Sequence, residues 1–472
     1  MERFTLGRLA HAIGAQAPGG LAAAVATGVS TDTRSLNEGD VFFALSGESF
    51  DGSLFLAEAF RRGASAAVVE GGATVPEGLG PILEVTSIRQ ALMDFARSYR
   101  EELGFQVVAV TGSAGKTTTK DMIYHLVSGR RRAIKATKSF NNEVGVPLTI
   151  FQADAETEVA ILELGTNSPG EIEALAAVAQ PDVAVITCIG RAHLEKLGGL
   201  EGVAREKLSL LQHLRPGGGV VLNGDDVRLS GAGAALARRS GGEGVTLCGL
   251  NTPSQGGWRG DIVQQGRSWR VECERWGRPG PSFQLPIPGH HIVTDALLAL
   301  GVCEELGLDP WDCAVDLASF GGSPGRFTLR EVGGVTLIDD TYNANPTSVA
   351  ASLEAFGSLA APAQRVVVLG AMGELGPESE RYHHEIGRAV ARLGVARLIT
   401  VGTAAGAIAS GARSAGFRRV SEVATASEAA AALGPLSRGT AVLFKASRAE
   451  RLERAVAACE TSLTLLPAAQ AA

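Results

Sequence analysis

The segment VAVTGSAGKTTTK, residues 108–120, has the residue types of a phosphate-binding loop. An apolar run ends at Gly112, and a predicted helix begins after a glycine-rich turn. Backbone N–H groups in such a turn point at a bound phosphate, and the helix N-terminus adds a partial positive charge. Lys116 can reach the terminal phosphates of a nucleotide, and the Thr117 hydroxyl can bind Mg²⁺. The alternative is a tight turn with an exposed lysine, since Val110 stands where the full P-loop pattern has glycine.

Two further polar residues lie at the ends of neighbouring apolar runs. The predicted strands QVVAVTG, EVAILELG and DVAVITCIG end at Gly112, Gly165 and Gly190. Open α/β sheets bind ligands outside the carboxyl ends of their strands, so Glu163, His193 and the loop are expected to share one crevice. A carboxylate and an imidazole beside a triphosphate predict Mg²⁺ binding. The alternative for a lone histidine is a structural role, but its position after a strand end favours the site.

The segment LIDDTYNANPTSVAASL, residues 337–353, joins a buried strand to a polar loop. The strand ends in two aspartates, and Tyr342, Asn343 and Asn345 follow. Pro346 then suits the first turn of a helix. One alternative is that an aspartate only caps this helix. The number of hydrogen-bonding groups at one strand end favours a ligand surface that faces the central part of the chain.

Two other candidates have weaker support from their residue types. Lys207 belongs to the amphipathic segment GVAREKLSLL, where a lysine usually lies on a solvated face. The cluster at 383–385, His-His-Glu, suggests a metal site. Adjacent side chains on a helix point about 100° apart, and no further ligand has matching spacing. We therefore predict that this cluster lies on a helix surface.

The composition is that of a globular protein with several domains. The chain has 472 residues, 45% of them hydrophobic, with a net charge of −7 and no long basic run, so no nucleic-acid partner is expected. No run of about 18 apolar residues predicts a membrane span, and the N-terminus has no signal-peptide core. The scattered cysteines predict reduced thiols in a cytoplasmic protein. They are Cys188, Cys248, Cys273, Cys303, Cys313 and Cys459.

The order of predicted elements divides the chain into three α/β domains. Residues 1–103 form a small α/β module. Residues 104–322 alternate strands with helices at 117–128, 170–179, 202–214 and 291–307, which predicts a mostly parallel, doubly wound sheet with a hairpin-rich insert. Residues 323–472 form a second, Rossmann-like α/β sheet. The glycine-rich segment FGGSPGRF, residues 320–327, is a predicted hinge between the last two domains.

Together these motifs resemble the Mur ligase family over essentially the whole chain. STDTR and GDVFFALSGESFDG are similar to the UDP-binding N-terminal module, and TGSAGKTTTK is similar to the family's shortened P-loop. SFNNEVGVPLT, LELGTNSPGEI and GRAHLEKLGGLEGVAREK follow in the family's order. IDDTYNANPTS and LGAMGELG are the most specific, and they resemble the members that add D-alanyl-D-alanine to UDP-N-acetylmuramoyl-tripeptide.

The resemblance implies an ATP-dependent amide-bond ligase of peptidoglycan precursor synthesis. Its substrates would be the UDP-tripeptide and the dipeptide, and its cofactors ATP and two Mg²⁺ ions. The resemblance also implies that Lys207 carries a CO₂-derived carbamate that reaches the second metal. We expect a cytoplasmic monomer without nucleic-acid partners. Two alternatives stay open: a related ligase with another amino or depsipeptide acceptor, and a non-catalytic paralogue that binds a UDP-sugar or nucleotide.

The resemblance also implies a role for each matching residue. The catalytic set is Lys116, Glu163, His193 and Lys207. The ATP-binding set is Gly112, Ser113, Ala114, Gly115, Lys116, Thr117, Thr118, Asp295, Arg326, Asp340 and Tyr342. The substrate-binding set is Thr31, Asp32, Thr33, Arg34, Asn141, Asn142, Asn343 and Asn345. The metal ligands are Thr117, Glu163, His193 and the Lys207 carbamate.

Several positions depart from the family's pattern. Ile292 and Asp295 replace two asparagines next to the adenine-side helix. Ile292 offers no hydrogen bond and an ionised Asp295 can only accept one, which predicts weaker discrimination of ATP from other nucleotides. Ser53 and Ser168 stand where the family usually has histidine, and Ser209 replaces a glutamate. These departures are the reason that the alternative acceptors stay open.

Overall fold

A computed structural model describes residues 1–17, 19–47, 50–137, 139–240, 244–266 and 268–465. Residues 48–49 of the predicted UDP-binding motif and residues 466–472 of the third predicted domain lie outside the described residues. The described strands form three larger sheets with helices against them, so the predicted α/β class is confirmed. No helix in these ranges is both long enough and apolar enough to cross a membrane.

The first hundred residues build a four-stranded parallel sheet in the order β3-β4-β7-β8. Its strands are short and buried, and Gly63, at φ 93°, provides the stop between α2 and β7. The elements are β1 (Phe4–Thr5), α1 (Leu6–Ala12), β2 (Val25–Ala26), β3 (Gly28–Ser30), β4 (Asp40–Phe43), β5 (Ser46–Gly47), β6 (Phe50–Asp51), α2 (Leu56–Arg61), β7 (Ala66–Glu70), β8 (Ile82–Val85) and α3 (Ile88–Leu103).

The central sheet has nine strands in the order β10-β11-β9-β12-β13-β14-β15-β16-β17. Its pairs are parallel from β10 to β15 and antiparallel from β15 to β17, as the predicted doubly wound sheet with a hairpin insert requires. The elements are β9 (Gln106–Thr111), α4 (Lys116–Val127), β10 (Ala133–Lys135), α5 (Gly145–Ile150), β11 (Val159–Glu163), α6 (Glu171–Ala179), β12 (Val183–Ile186), α7 (Leu194–Leu197), α8 (Leu200–Leu208), β13 (Gly219–Asn223), α9 (Val227–Ser240), β14 (Val245–Gly249), β15 (Gly257–Gln264), β16 (Trp269–Arg275), β17 (Arg278–Leu285), α10 (His290–Glu305) and α11 (Pro310–Asp316).

The C-terminal sheet has the order β18-β19-β23-β20-β21-β22, and only its β18–β19 pair is antiparallel. Pro346 occupies the first turn of α12, as predicted, and Asn345 caps that helix. The elements are β18 (Thr328–Val332), β19 (Val335–Asp340), α12 (Pro346–Phe356), β20 (Arg365–Gly370), α13 (Ser379–Leu393), β21 (Arg397–Val401), α14 (Gly406–Ser414), β22 (Val420–Val423), α15 (Ala426–Leu433), β23 (Ala441–Lys445) and α16 (Glu453–Leu465). Short 3₁₀ helices span Gly52–Phe55, Ser209–His213, Ser254–Gly256, Leu317–Ser319, Pro362–Gln364, Gly376–Glu378, Thr403–Ala405 and Arg448–Glu450.

The central sheet separates two apolar clusters. In β9, Val107 and Ala109 belong to a cluster shared with the N-terminal sheet, whereas Val108 and Val110 belong to a cluster that continues into the C-terminal sheet. This alternation follows from the two-residue period of a strand. Because the cores continue from one sheet to the next, the domain boundaries at 103/104 and 322/323 remain predictions.

Arg100 joins α3 to the central sheet. Its guanidinium is fully buried and donates to the carbonyls of Ala179 and Gln180, at 3.0 and 2.9 Å, and to the Asp182 carboxylate at 3.2 Å. Asp182 also accepts from the backbone N–H of Val107, at the second residue of β9. One buried ion pair therefore connects the N-terminal unit to the strand that leads into the predicted phosphate loop.

Replacing Arg100 with alanine should lower the free energy of unfolding by about 3 kcal/mol, because it removes one partner of a buried, hydrogen-bonded charge pair. Urea unfolding followed by circular dichroism measures this. Arg97→Ala is the control, since Arg97 lies on the same helix, is half exposed and pairs with Glu101 at 3.0 Å. That control should change the stability by less than about 0.5 kcal/mol. Equal stability of the two variants would contradict a role for Arg100 in joining the units.

Candidate active site

The carboxyl ends of three adjacent central strands meet at one edge of the sheet. In the register of β11 on β9, Glu163 lies opposite Val110, and in that of β12 on β9, Ile186 lies opposite Thr111. The loop that follows β9 therefore emerges between the end of β11 and the end of β12. This arrangement is the one that the strand order in the sequence predicted.

Two glycines allow the loop after β9 to take its path. Gly112 has φ 152°, and a Cβ on it would lie 1.8 Å from Oγ1 of Thr187. Gly115 has φ 84°, and a Cβ there would lie 2.8 Å from Oδ1 of Asp295. Both positions exclude a side chain on steric grounds and on backbone conformation. The loop can thus turn tightly enough to present its N–H groups at the start of α4.

Glu163 is the buried carboxylate at the centre of the site. Its side chain is 1% exposed. Oε2 accepts from the Thr117 hydroxyl at 2.8 Å, and Oε1 accepts from the Asn141 amide at 2.9 Å. Lys116, on the same loop, donates to the Gly112 carbonyl at 2.8 Å, and burial lowers the pKa of Lys116. A cation and an anion are therefore held side by side at the N-terminus of α4.

Most of the predicted residues line one cavity of about 560 Å³ between the central and C-terminal sheets. They are Ser113, Ala114, Gly115, Lys116, Thr117, Thr118, Asn141, Asn142, Glu163, His193, Asp295, Arg326, Asp340, Tyr342, Asn343 and Asn345. Ile292 lies on the same wall. The predicted residues outside this lining are Gly112, Lys207, Thr31, Asp32, Thr33 and Arg34.

Lys207 is buried directly behind the cavity. Its side chain is 1% exposed, so the solvated position that is usual for a helix lysine does not apply to it. Burial and then repulsion from Lys116 lower its pKa to about 7. The carboxylate of the adjacent Glu206 accepts hydrogen bonds from the backbone N–H groups of Gly170 and Ile172. Lys207 is thus a buried amine that is largely neutral above pH 7.

The C-terminal sheet contributes a second group of charges. The Arg326 guanidinium lies 4.2 Å from the centre of the Tyr342 ring and donates to Ser139 at 3.4 Å. Asp340 pairs with Lys445 at 2.7 Å. Lys445 is 3% exposed and was missed in the candidate set, although it belongs to the motif LFKASR at the end of a predicted strand. Lys445 balances the charge of Asp340.

The predicted asparagines have partners within the protein. Asn345 accepts from the N–H of Ser348 as the cap of α12, and its amide donates to the Ser113 carbonyl at 3.0 Å. That second bond connects the C-terminal unit to the phosphate loop. The side-chain oxygen of Asn142 accepts from the backbone N–H of Gly145 at 2.9 Å. The backbone carbonyl of Asn343 accepts from Nζ of Lys445, in β23, at 3.1 Å. Each of these side chains still borders the cavity.

Asp295 is buried against the start of α4. Burial raises its pKa to about 8, against the opposing effects of a hydrogen bond from Thr119 and the charge of Arg326. Oδ1 accepts from Thr119 at 2.9 Å, and Oδ2 is buried without a hydrogen-bond partner among the described residues. The carboxyl is therefore mostly protonated at pH 7. The expectation that Asp295 can only accept a hydrogen bond applies above pH 8.

The loop at Thr31–Arg34 is separate from the cavity. Arg34 is 87% exposed and forms a bidentate pair with Asp32 on the same turn. Hydrogen bonds from Arg34 lower the pKa of Asp32 to about 2. Thr33 is buried beneath this turn. The structure does not bring these residues together with the phosphate loop.

The histidines of the sequence analysis have different environments. His193 lies at the N-terminus of α7 with Nδ1 2.5 Å from Oε2 of Glu374. His383 is 1% exposed, so the predicted helix-surface position is wrong for this residue. Its Nε2 accepts from the Met372 N–H at 2.8 Å, and burial lowers its pKa. His383 was misassigned because its burial depends on packing against another element.

The donor set of the cavity fits Mg²⁺ bound together with phosphate. Within the described ranges no three His, Cys, Asp or Glu side chains form a cluster that could hold a metal ion alone. Mg²⁺ is usually bound by one or two carboxylates together with substrate phosphates and water. Glu163 and the Thr117 hydroxyl, already in contact at 2.8 Å, are such a partial set beside the phosphate loop.

Three family models match consecutive parts of the chain. The model of the Mur ligase family catalytic domain matches residues 25–100, the Mur ligase middle domain matches residues 110–303, and the glutamate ligase domain matches residues 325–448. Two relatives are named UDP-N-acetylmuramoyl-tripeptide–D-alanyl-D-alanine ligase. That of Bacillus subtilis (strain 168) is 35% identical and the alignment covers 91% of this chain and 92% of the relative. That of Escherichia coli (strain K12) is 31% identical over 81% and 82% of the two chains.

Solved structures show the same architecture. MurF from Acinetobacter baumannii superposes with a TM-score of 0.87 at 29% identity, over 98% of this chain and 99% of that one. The MurF ligase of Thermotoga maritima, solved in complex with ADP, superposes with a TM-score of 0.79 at 31% identity, over 92% and 97%. The shared sheets, the phosphate loop and the extent of these matches show that the chain belongs to the Mur ligase family.

Proposed function

We propose that this protein is an ATP-dependent ligase that joins D-alanyl-D-alanine to UDP-N-acetylmuramoyl-tripeptide and releases ADP and phosphate. One cavity carries the proposal, because it unites a phosphate loop, the buried Glu163 and the cation Arg326 from the segment that leads into the C-terminal sheet. Relatives with this named activity match over nine-tenths of the chain. The protein acts in the cytoplasm as a monomer, and the loop Thr31–Arg34 binds the UDP end of the substrate.

The phosphate loop holds the triphosphate for attack by the tripeptide carboxylate. A carboxylate oxygen bonds to the γ-phosphorus while the bond to the ADP oxygen breaks, giving an acyl phosphate. Lys116 and the loop N–H groups are fixed before the reaction, so they stabilise the charge that spreads over the transferred group. When bound at Thr117, Glu163 and His193, two Mg²⁺ ions would neutralise further phosphate charge.

The amine of D-alanyl-D-alanine then attacks the acyl carbon. A tetrahedral intermediate forms and collapses, and the bond to phosphate breaks as the amide forms. Because water would hydrolyse the acyl phosphate, the C-terminal unit must cover the site. The bond from Asn345 to the Ser113 carbonyl and the stacked pair of Arg326 and Tyr342 support such a cover. The segment 320–327 would be its hinge.

Lys207 carries a carbamate in the active enzyme. Only a neutral amine reacts with CO₂, and a pKa of about 7 leaves much of this lysine neutral at physiological pH. The neutral amine attacks the carbon of CO₂, an N–C bond forms as one C–O π bond breaks, and one proton is released, so the amine beside Lys116 becomes an anion. The carbamate anion attracts Lys116, whereas a protonated Lys207 would repel it. The anion would also offer an oxygen ligand to the second metal.

The proposed function is tested by phosphate release from ATP. Phosphate should appear only when UDP-tripeptide and D-alanyl-D-alanine are both present, and mass spectrometry should detect the UDP-pentapeptide. Turnover with another amine or depsipeptide, and not with the dipeptide, would show that the protein is a related ligase. No phosphate release with any amine, despite binding of nucleotide, would show that it is a binding paralogue.

The Lys116→Ala variant should lose a factor on the order of 10² to 10³ in kcat, because a fixed cation is removed from the site where γ-phosphoryl charge develops. Phosphate release under saturating substrates measures the change. Circular dichroism checks that the fold is intact. Near-normal turnover in a folded variant would mean that the loop does not hold the reacting phosphate.

The Lys207→Ala variant should be nearly inactive and partly rescued by added short carboxylic acids, which replace the missing anion. In the wild type, ¹³C NMR with labelled bicarbonate should detect a carbamate carbon. Its occupancy should fall as the pH drops below about 7, because protonation removes the reactive amine. Arg205→Ala, an exposed change on the same helix, is the control and should retain activity. A bare ammonium in fully active enzyme would disprove the carbamate.

The preference for ATP over GTP should decline several-fold as the pH rises through about 8. Protonated Asp295 can donate to an adenine ring nitrogen, whereas the ionised form only accepts and suits the donors of guanine. Each hydrogen bond lost is worth on the order of 1 kcal/mol. The ratio of kcat/KM values for the two nucleotides measures this.

Asp295→Asn should abolish the pH dependence, and adding Ile292→Asn should sharpen the preference for ATP. A ratio independent of pH in the wild type would show that adenine is read elsewhere.

A further inference from the structure

His193 is held from the C-terminal unit by Glu374. Nδ1 of His193 is buried, and Oε2 of Glu374 lies 2.5 Å from it, as an ion-pair contact that does not have the alignment of a hydrogen bond. His193 also lines the cavity, and none of the contacts among the described residues engages its Nε2. Nε2 is therefore the ring nitrogen that is available to a ligand in the cavity.

Both residues have left-handed backbone conformations, with φ 53° for His193 and φ 60° for Glu374. Non-glycine residues with positive φ are uncommon, and they persist where the surrounding structure fixes them. His193 begins α7 and Glu374 lies in the loop between β20 and α13. The contact thus depends on two strained loops, one from each unit, that face each other.

The loop that carries Glu374 is fixed by the buried His383. Nε2 of His383 accepts from the N–H of Met372, two residues before Glu374, and Nδ1 contacts the Ser379 carbonyl at 2.7 Å. Nδ1 must carry the proton, because one nitrogen accepts from an N–H and the other meets a carbonyl oxygen. The His383 ring therefore has a single orientation, and it connects α13 to the loop that carries Glu374.

The same interface contains an ion pair that does not touch His193. Arg191 lies 3.0 Å from Oε2 of Glu385, and its guanidinium lies 4.8 Å from the centre of the Tyr382 ring. Its backbone N–H donates to the Thr347 hydroxyl at 3.0 Å. The loop around His193 is thus contacted at several points by the C-terminal unit. A variant that loses the pair with Glu385 therefore shows the effect of a weakened interface while the contact between Glu374 and the His193 imidazole is kept.

We propose that Glu374 is a positioning residue that orients the His193 imidazole with Nε2 toward the cavity, and that the two units must be in contact for this. The inference rests on the proposed function, in which His193 binds a divalent cation. A carboxylate that accepts from the outer N–H of a metal-binding histidine fixes its tautomer and ring orientation. The metal site is then complete only while the C-terminal unit covers the phosphate loop.

The test measures Mn²⁺ binding to the full-length protein in the presence of a non-hydrolysable ATP analogue, by electron paramagnetic resonance. Glu374→Gln keeps the side-chain size and removes the charge. Loss of such a partner typically weakens metal binding by about 10- to 100-fold, and Mn²⁺ affinity should fall in that range. The ¹⁴N spin-echo modulation from a coordinated imidazole should fall as well. His193→Gln supplies the reference spectrum without that nitrogen.

Glu385→Gln is the matched control. It removes a charge from the same interface, and Mn²⁺ affinity and the ¹⁴N modulation should stay within about twofold of the wild type. Thermal unfolding should show that both variants are folded, since Glu374 is 55% and Glu385 42% exposed. Unchanged affinity and modulation in Glu374→Gln would overturn the proposal. Equal losses in both variants would also overturn it, because the interface alone would then explain them.

The ligase assay distinguishes failure of this inference from failure of the proposed function. If the wild type shows no ligation but its Mn²⁺ signal still depends on Glu374, the proposed ligase function is wrong and the positioning role is retained. An active ligase with no imidazole modulation in the wild type would keep the ligase and overturn the positioning role. In an active ligase, Glu374→Gln should also raise the Mg²⁺ concentration for half-maximal rate about 10-fold or more.

Discussion

The architecture depends on one steric constraint, the close approach of the loop after β9 to the end of β12. Gly112 leaves no room for a Cβ beside Thr187, so a glycine is needed where the chain turns after β9. The turn brings the N-terminus of α4 to the edge where β9, β11 and β12 end. Glu163 is the last residue of β11, and its two oxygens accept hydrogen bonds from Thr117 and Asn141. Every charge in the cavity is arranged around this turn.

The lining of the cavity brings charged side chains of both signs together. Asp340 offsets Lys445 at 2.7 Å, and the side chain of Ser352 donates to the same carboxylate. Lys116 and Lys207 share one region with Glu163 and repel each other, which is part of the reason that the pKa of Lys207 is lowered to about 7. A polyanionic nucleotide would therefore be met by the local cations Lys116 and Arg326 and by the loop N–H groups, since the lining as a whole has no excess of cations.

Sequence reasoning predicted what depends on local order along the chain. The loop, the strand ends beside Glu163 and the helix opened by Pro346 follow from strand, turn and helix signals within a few residues. Burial is different, since it depends on distant elements. Lys207 and His383 read as surface residues on their helices, yet each is 1% exposed. Lys445 and Glu374 were missed for the same reason: their partners lie about a hundred residues or more away.

The alternation of β9 between two apolar clusters also limits how this chain can change in length. Val107 and Ala109 serve one core, and Val108 and Val110 serve the other. A single inserted residue in this strand would exchange the two faces and displace the phosphate loop together with them. Insertions should therefore fall outside the strands that pack into a core or lead into the phosphate loop. The exposed turn between β16 and β17, at residues 276–277, is such a place.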